Sequence, residues 1–403
     1  MVALKYVPLI AAFPIVLHAE KFFVRLKSPE VSMETFLRSD ELVRIANHAK
    51  PFIEQSFAFG DFAAFVGDFS KDMLKHLSQS KLVLDITPDI IIKAMDDVET
   101  QSPAPRHLAR LSQLDRLPPP GAYQSLDYFY DSSNTGEGVY AYVIDSGVRV
   151  DHPEFEGRAV FGKDFTGEGS GDFNGHGTHV AGIIGSKTYG VAKDITIVDV
   201  KALDFRGSGS LSGVVGALEY AVNHRLTHGN RGVANLSLGA ARNSVLNLAI
   251  KAAYESGLVI IAAAGNSNID ACITSPGGLS HALTVGAIDD KSDQLASFTN
   301  WGSCVDVFAS GVYVYSLSNL DVKKLVALSG TSMASPVVAG LAGTLLGAGV
   351  APEDIKQTVV DLSSEGYISR RSVLLRPFTP NRIAFNRVTE EHSDSAGDSE
   401  GEE

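Results

Sequence analysis

From Val139 onward the chain alternates short apolar runs with longer helical ones, and this constrains the fold more than any other feature. Val139–Ile144 (VYAYVI), Ile195–Val200, Val233–Leu236, Leu258–Ala263 (LVIIAA) and Ala282–Ile288 read as strands. Runs as apolar as Leu258–Ala263 leave no face for water, as in a sheet covered on both sides. Between them, Leu211–Arg225 carries Val214, Val215, Leu218, Tyr220 and Ala221 at helical spacing, and Val245–Ser256 reads as a helix stopped by Gly257. Strand and helix in turn predict an α/β fold, with a mostly parallel, doubly wound sheet and helices on both faces.

The segment before it, Glu20–Ala94, has another character. Lys21–Lys27 reads as a strand, Met33–Ala46 and Phe69–Gln79 as amphipathic helices, and Lys81–Leu84 and Ile90–Lys93 as further short strands. Together they make a small α+β unit with a modest core of its own. Asp96–His107, with its acids, Ser and two prolines, reads as a linker. At the N-terminus, Lys5, the apolar run Val7–Leu17 and the small residue Ala19 predict a secretory signal over residues 1–19. At the other end, Thr389–Glu403 holds seven acids and no Lys or Arg, so removing it takes the net charge from −13 to −6. This tail is expected to be solvated and disordered. The acidic balance argues against a nucleic-acid partner, and no apolar run reaches the roughly 18 residues of a membrane span.

Three motifs carry chemistry. Val143-Ile144-Asp145-Ser146-Gly147 puts an acid at the carboxyl end of a buried strand, the edge where open α/β sheets build sites. A plain turn-forming Asp before Gly fits those residues equally well. Asn174-Gly175-His176-Gly177-Thr178-His179 places His176 at the start of a helix between two glycines. The rival reading is a zinc pair of His176 and His179, which lacks the His-Glu-x-x-His pattern and nearby Cys ligands. Ser329-Gly330-Thr331-Ser332-Met333-Ala334-Ser335-Pro336 leads into an apolar helix, with Ser332 expected at its N-cap and Pro336 in its first turn. There the positive helix end would favour a developing anion, although an ordinary Ser cap explains the same residues. Taken together, Asp, His and Ser in this chain order supply an orienter, a base and a nucleophile.

The phrases VIDSGV, NGHGTHVAG and SGTSMASPVVAG resemble the three active-site signatures of subtilases. GVAKDITIVDVKAL, ANLSLG and AAGNSN resemble the proteinase K-like branch, and the likeness runs from about Pro105 to Leu346. The order Asp, His, Ser is the subtilisin order rather than that of α/β-hydrolases. Two departures are small: Ser146 stands where most members have Thr, and Val337 where many have His. The resemblance implies a subtilisin-like fold and a serine endopeptidase with Asp145, His176 and Ser332 as triad. It makes Asn266 an oxyanion donor, although alone that residue reads as a turn after a strand. Gly207, Ser208, Gly209, Ser210 and Leu211, with Ser237, Leu238 and Gly239, would form the two edges that pair with an extended peptide. Ala263, Ala264 and Gly265 would wall a roomy apolar specificity pocket.

The same resemblance makes residues 20–98 an inhibitory propeptide acting on its own chain, cut near Val98, and residues 99–388 the peptidase domain. Cys272 and Cys304 would form one disulfide, the other reading being two buried thiols. Asp306 with the carbonyls of Ser280 and Ala282 would hold a structural calcium ion, against the plainer reading of a surface Asp. The expected protein is a secreted or lytic-compartment monomer that acts on proteins and peptides, needs no cofactor for catalysis and does not span a membrane. A catalytically silent surface or wall protein on the same scaffold is the alternative.

Overall fold

In the computed structural model, residues 21–27, 50–60, 62–88, 98–121, 125–229 and 231–388 are described. The signal segment, the helix expected over Met33–Ala46, the strand expected over Ile90–Lys93 and the acidic tail lie outside them. The chain divides into two compact units, residues 1–94 and 95–403.

In the first unit, strands β1 (Lys21–Leu26), β2 (Ile53–Phe59), β3 (Phe62–Asp68) and β4 (Val83–Pro88) form an antiparallel sheet in the order β2-β3-β1-β4. Helix α1 (Lys71–Ser78) starts where the Ser70 side chain accepts from the Met73 N–H. Val24, Phe65, Phe69, Leu77 and Val83 close a small core. The hairpin of β2 and β3 is not evident in the sequence, because β2 (IEQSFAF) is exposed along most of its length.

In the second unit, Val98–Gln101 is no linker. It forms β5, paired antiparallel with β6 (Tyr128–Asp131), and helix α2 (Arg106–Ser112) follows it. The central sheet is built from β7 (Tyr140–Asp145), β8 (Ala159–Asp164), β9 (Thr196–Lys201), β10 (Gly232–Leu236), β12 (Val259–Ala263), β14 (Leu283–Asp289) and β16 (Val307–Ser310). These run parallel in the order β16-β14-β12-β10-β7-β9-β8. Short pairs complete the unit: β11 (Ala240–Ala241) with β13 (Thr274–Ser275), β15 (Gln294–Leu295) on β14, β17 (Val314–Leu317) with β18 (Leu325–Leu328), and β19 (Ser364–Glu365) with β20 (Arg382–Ile383).

The helices are α3 (His176–Gly185), α4 (Leu211–Thr227), α5 (Ser244–Glu255), α6 (Thr331–Gly347), α7 (Ile355–Leu362) and α8 (Arg370–Leu374). Alternate residues of each central strand enter different cores. Ala141 and Val143 of β7 and Val259 and Ile261 of β12 pack with α3 and α6. Tyr142, Ile144, Ile260 and Ala262 pack with α4 and α5 on the opposite face. Burial on both faces is why these strands are apolar without alternation. Helix α6 is apolar almost all round because it runs through the core. The expected doubly wound, mostly parallel α/β sheet is the observed one.

Candidate active site

Asp145 is the last residue of β7 and fully buried. His176 is the first residue of α3, which points back at that strand end. Residue 177 must be glycine for the two to meet, since a Cβ there would lie 2.1 Å from the Gly147 carbonyl oxygen. The His176 Nδ1–H donates to Asp145 Oδ1 at 2.7 Å, and the same oxygen accepts from the Ser146 N–H at 2.7 Å. A carboxylate only accepts, so Nδ1 carries the proton and Nε2 keeps its lone pair free to act as a base. Burial disfavours the imidazolium, but the charge of Asp145, its hydrogen bond and the more distant Asp172 outweigh it, so the pKa of His176 is raised above 6.5.

Asp172 was not singled out in the sequence, yet it organises this corner. Its Oδ1 accepts from Ser146 Oγ and from the N–H groups of Asn174 and Gly175; its Oδ2 accepts from the N–H and hydroxyl of Thr178. Ser146 Oγ in turn accepts from the Gly177 N–H at 3.0 Å. One buried carboxylate thus ties the end of β7 to the loop that carries His176. The hydroxyl that Ser146 keeps is used here. His179 points elsewhere: its Nε2 lies 3.1 Å and 3.0 Å from the carbonyls of Val314 and Val326, and burial lowers its pKa to about 4. With His176 turned to Asp145 and His179 to these carbonyls, the zinc-pair reading is set aside.

Ser332, expected from the sequence at the N-cap, instead lies inside its helix. The N-cap is Gly330, and α6 starts at Thr331. Pro336 therefore lies beyond the first turn, four residues after Ser332, and cannot supply the N–H that the Ser332 carbonyl would otherwise receive. The hydroxyl of Ser237 replaces it, donating to Ser332 O at 3.0 Å. Ser237 Oγ also receives a hydrogen bond from Asn235 Nδ2 at 2.8 Å. The Ser332 hydroxyl donates to the Ser237 carbonyl at 3.2 Å.

Asn266 is held by Thr331, whose N–H and hydroxyl both reach its Oδ1, at 2.8 Å and 2.9 Å. That fixes which end of the amide is the donor. A Cβ on Gly330 would sit 3.4 Å from Asn266 Nδ2 and 3.6 Å from the Ser332 nitrogen, so both donors border the same small space. No sequence motif assigns Thr331 this role, and its place beside Ser332 is the signal that points to it.

Gly207–Leu211 and Ser237–Gly239 face one another across a cleft of roughly 620 Å³, which Asp145 and His176 also line. Ser210 caps α4 by accepting from the Gly213 N–H, and this positions the first edge. Ala263, Ala264 and Gly265 continue from the end of β12; the first two are buried and do not border this cleft. Gly265 takes φ +102°, and a Cβ there would meet Asn300 Nδ2 at 2.5 Å.

Cys272 and Cys304 are joined, with Cα atoms 5.3 Å apart, and tie the loop after Asn266 to the one before β16. The sequence places Asp306, Ser280 and Ala282 around a calcium ion. Asp306 and the carbonyls of Ser280 and Ala282 do converge, but on an ammonium group: Lys356 Nζ lies 2.9 Å from Asp306 Oδ2, 3.2 Å from Ser280 O and 2.8 Å from Ala282 O. The oxygens chosen for a metal already neutralise a charge of the chain itself.

Known proteins match both the fold and the sequence. The sequence model of the Subtilase family matches residues 136–382. The subtilase-type proteinase RRT12 of Saccharomyces cerevisiae is 41% identical over 92% of this chain and 83% of its own length. Alkaline protease 1 of Aspergillus clavatus is 40% identical over 83% of this chain and 80% of its own. A crystal structure of a cold adapted subtilisin-like serine proteinase superposes with a TM-score of 0.63 at 41% identity, covering 71% of this chain and 99% of that one. The chain belongs to the subtilase family, as a subtilisin-like serine endopeptidase.

Proposed function

We propose that the chain is a self-processing secretory endopeptidase with Ser332 as nucleophile, His176 as general base and Asp145 as its orienter. The observation that carries this reading is the 2.7 Å hydrogen bond from His176 to the buried Asp145, at the mouth of a cleft edged by Gly207–Leu211 and Ser237–Gly239. An extended peptide pairs with those edges through its main chain. The Ser332 hydroxyl leaves the Ser237 carbonyl and turns to His176 Nε2, which takes its proton as Oγ attacks the scissile carbonyl carbon. Negative charge on the carbonyl oxygen is met by Asn266 Nδ2 and the Ser332 N–H. His176 then gives the proton to the leaving amine, and water releases the acyl group by the same steps. These steps need no cofactor.

Main-chain pairing is indifferent to sequence, so cleavage is broad. Ala263, Ala264 and Gly265 bring no charge and little bulk to the primary pocket. An apolar or aromatic residue entering it gains about 1.5–3 kcal/mol over a small one, roughly a ten- to hundredfold preference. A Lys or Arg head would lack a partner there. Residues 1–19 direct the chain into the secretory pathway, and residues 20–98 act as an inhibitory propeptide removed near Val98. The mature enzyme, a monomer, works outside the cell or in a lytic compartment on unfolded proteins and peptides. Among the described residues no helix is long and apolar enough to cross a membrane.

Mass spectrometry of the protein recovered from cultures, with and without Ser332→Ala, tests the reading. Wild type should begin near Val98, and the variant should keep residues 20–98. A variant processed at the same site would contradict self-cleavage.

A further inference from the structure

We propose that Lys356 is a built-in cation that takes the place of a divalent metal at the entry to β14 and β16. Three acceptors converge there, namely Asp306 Oδ2, Ser280 O and Ala282 O, and Lys356 Nζ lies within 3.2 Å of each. An ammonium has three N–H donors and no acceptor, so each oxygen receives one. Asp306 Oδ2 also accepts from the Thr284 N–H at 2.8 Å, which leaves it committed on both sides. A calcium ion would ask for six to eight oxygens at about 2.3–2.6 Å and would face Lys356 as a like charge. The carboxylate balances one positive charge, and Lys356 supplies it.

Lys356 reaches this point because α7 is anchored by Ile355 and Val359, both fully buried, which fix the turn from which its side chain leaves. The tie matters to the site through Pro276–Ala282, which leads from β13 to β14. A Cβ on Gly277 would lie 3.0 Å from Ala264 O and 3.2 Å from Ala263 O, so this segment backs directly on the residues proposed to wall the specificity pocket. Helix α7 thus pins the back of the pocket by a covalently attached charge. The contribution of this site to stability is independent of calcium, and the enzyme keeps it in a calcium-poor compartment.

Thermal unfolding of the inhibited enzyme in chelator and in millimolar calcium tests this. Lys356→Met keeps the aliphatic stem and removes the charge. In chelator its Tm should fall by roughly 3–6 °C. Calcium should recover part of that loss by binding the vacated oxygens, which adds a calcium-induced shift that wild type lacks. Equal calcium-induced shifts in wild type and Lys356→Met would overturn the proposal. Asp306→Asn decides the matter if Lys356→Met does not accumulate. Its loss should be the same in chelator and in calcium, because the partner removed is a lysine. If Asp306→Asn instead abolishes a calcium-induced shift present in wild type, the cation at this site is a metal and the proposal fails.

Discussion

Ser237 donates its hydroxyl to the main-chain carbonyl of Ser332 at 3.0 Å, taking the part of the N–H that Pro336 lacks. The peptide group of the proposed nucleophile is therefore held by a residue of the proposed substrate edge. Ser237→Ala should cost about 1–3 kcal/mol, because it leaves a carbonyl and the Asn235 amide short of partners. It should also lower kcat more than it raises KM. Pro336→Ala restores the helical N–H, so the double variant should be more stable than Ser237→Ala alone. A double-mutant cycle by thermal melting measures this coupling; strict additivity would contradict it.

The raised pKa of His176 fixes the direction of the pH dependence. With His176 as the proposed general base, catalysis needs the neutral imidazole, so activity should fall as pH drops through that pKa. The acid limb of kcat/KM should be centred above 6.5. Stability has the opposite sign: the imidazolium is favoured in the fold, and this contribution is full below 6.5 and lost as pH rises through the raised value. Asp172→Asn removes one of the charges that raise the pKa, and the limb should move to lower pH. An unmoved limb in a folded variant would show that Asp172 acts by geometry alone.

Asn266 should matter in the transition state. Asn266→Ala is expected to lose roughly 100- to 1000-fold in kcat with little change in KM. Thr331→Val keeps the N–H that holds Asn266 Oδ1 and removes the hydroxyl, so its loss should be smaller, about tenfold. Steady-state kinetics on a chromogenic peptide separates the two. A change confined to KM would make Asn266 a ground-state contact.

Asp199 sits inside β9 beside Val143, and burial raises its pKa from 3.8 to about 7. This is the reverse of a paired carboxylate. As pH rises from about 4 to about 7 the unfolded chain ionises first, so folding loses stability over that window. Asp199→Asn should raise Tm above pH 7 and leave it nearly unchanged below pH 4. Melting curves across this range check it; a pH-independent effect would contradict the assignment.

The central strands were legible because burial on both faces writes an apolar run into the sequence, as in LVIIAA, which contains all of β12. β5 was not, since Val-Glu-Thr-Gln is polar and gains its order from pairing with β6. The start of α6 was misplaced because its cap is Gly330, which offers no side-chain acceptor to read. Asp145, His176 and Ser332 stood out through their glycine-rich surroundings. What holds them did not: Asp172 acts through main-chain N–H groups, and Thr331 through an amide 65 residues away. Lys356 meets carbonyls 76 and 74 residues before it, a contact no local pattern announces.

The central claim is that Ser332 is the nucleophile activated by His176. Labelling the mature enzyme with a fluorophosphonate, followed by peptide mapping, tests it most directly. One adduct per molecule is expected, on the peptide that carries Ser332, absent in Ser332→Ala and strongly slowed in His176→Ala. Full peptidase activity in protein that takes no label, or an adduct on another residue with Ser332 unmodified, would contradict the account.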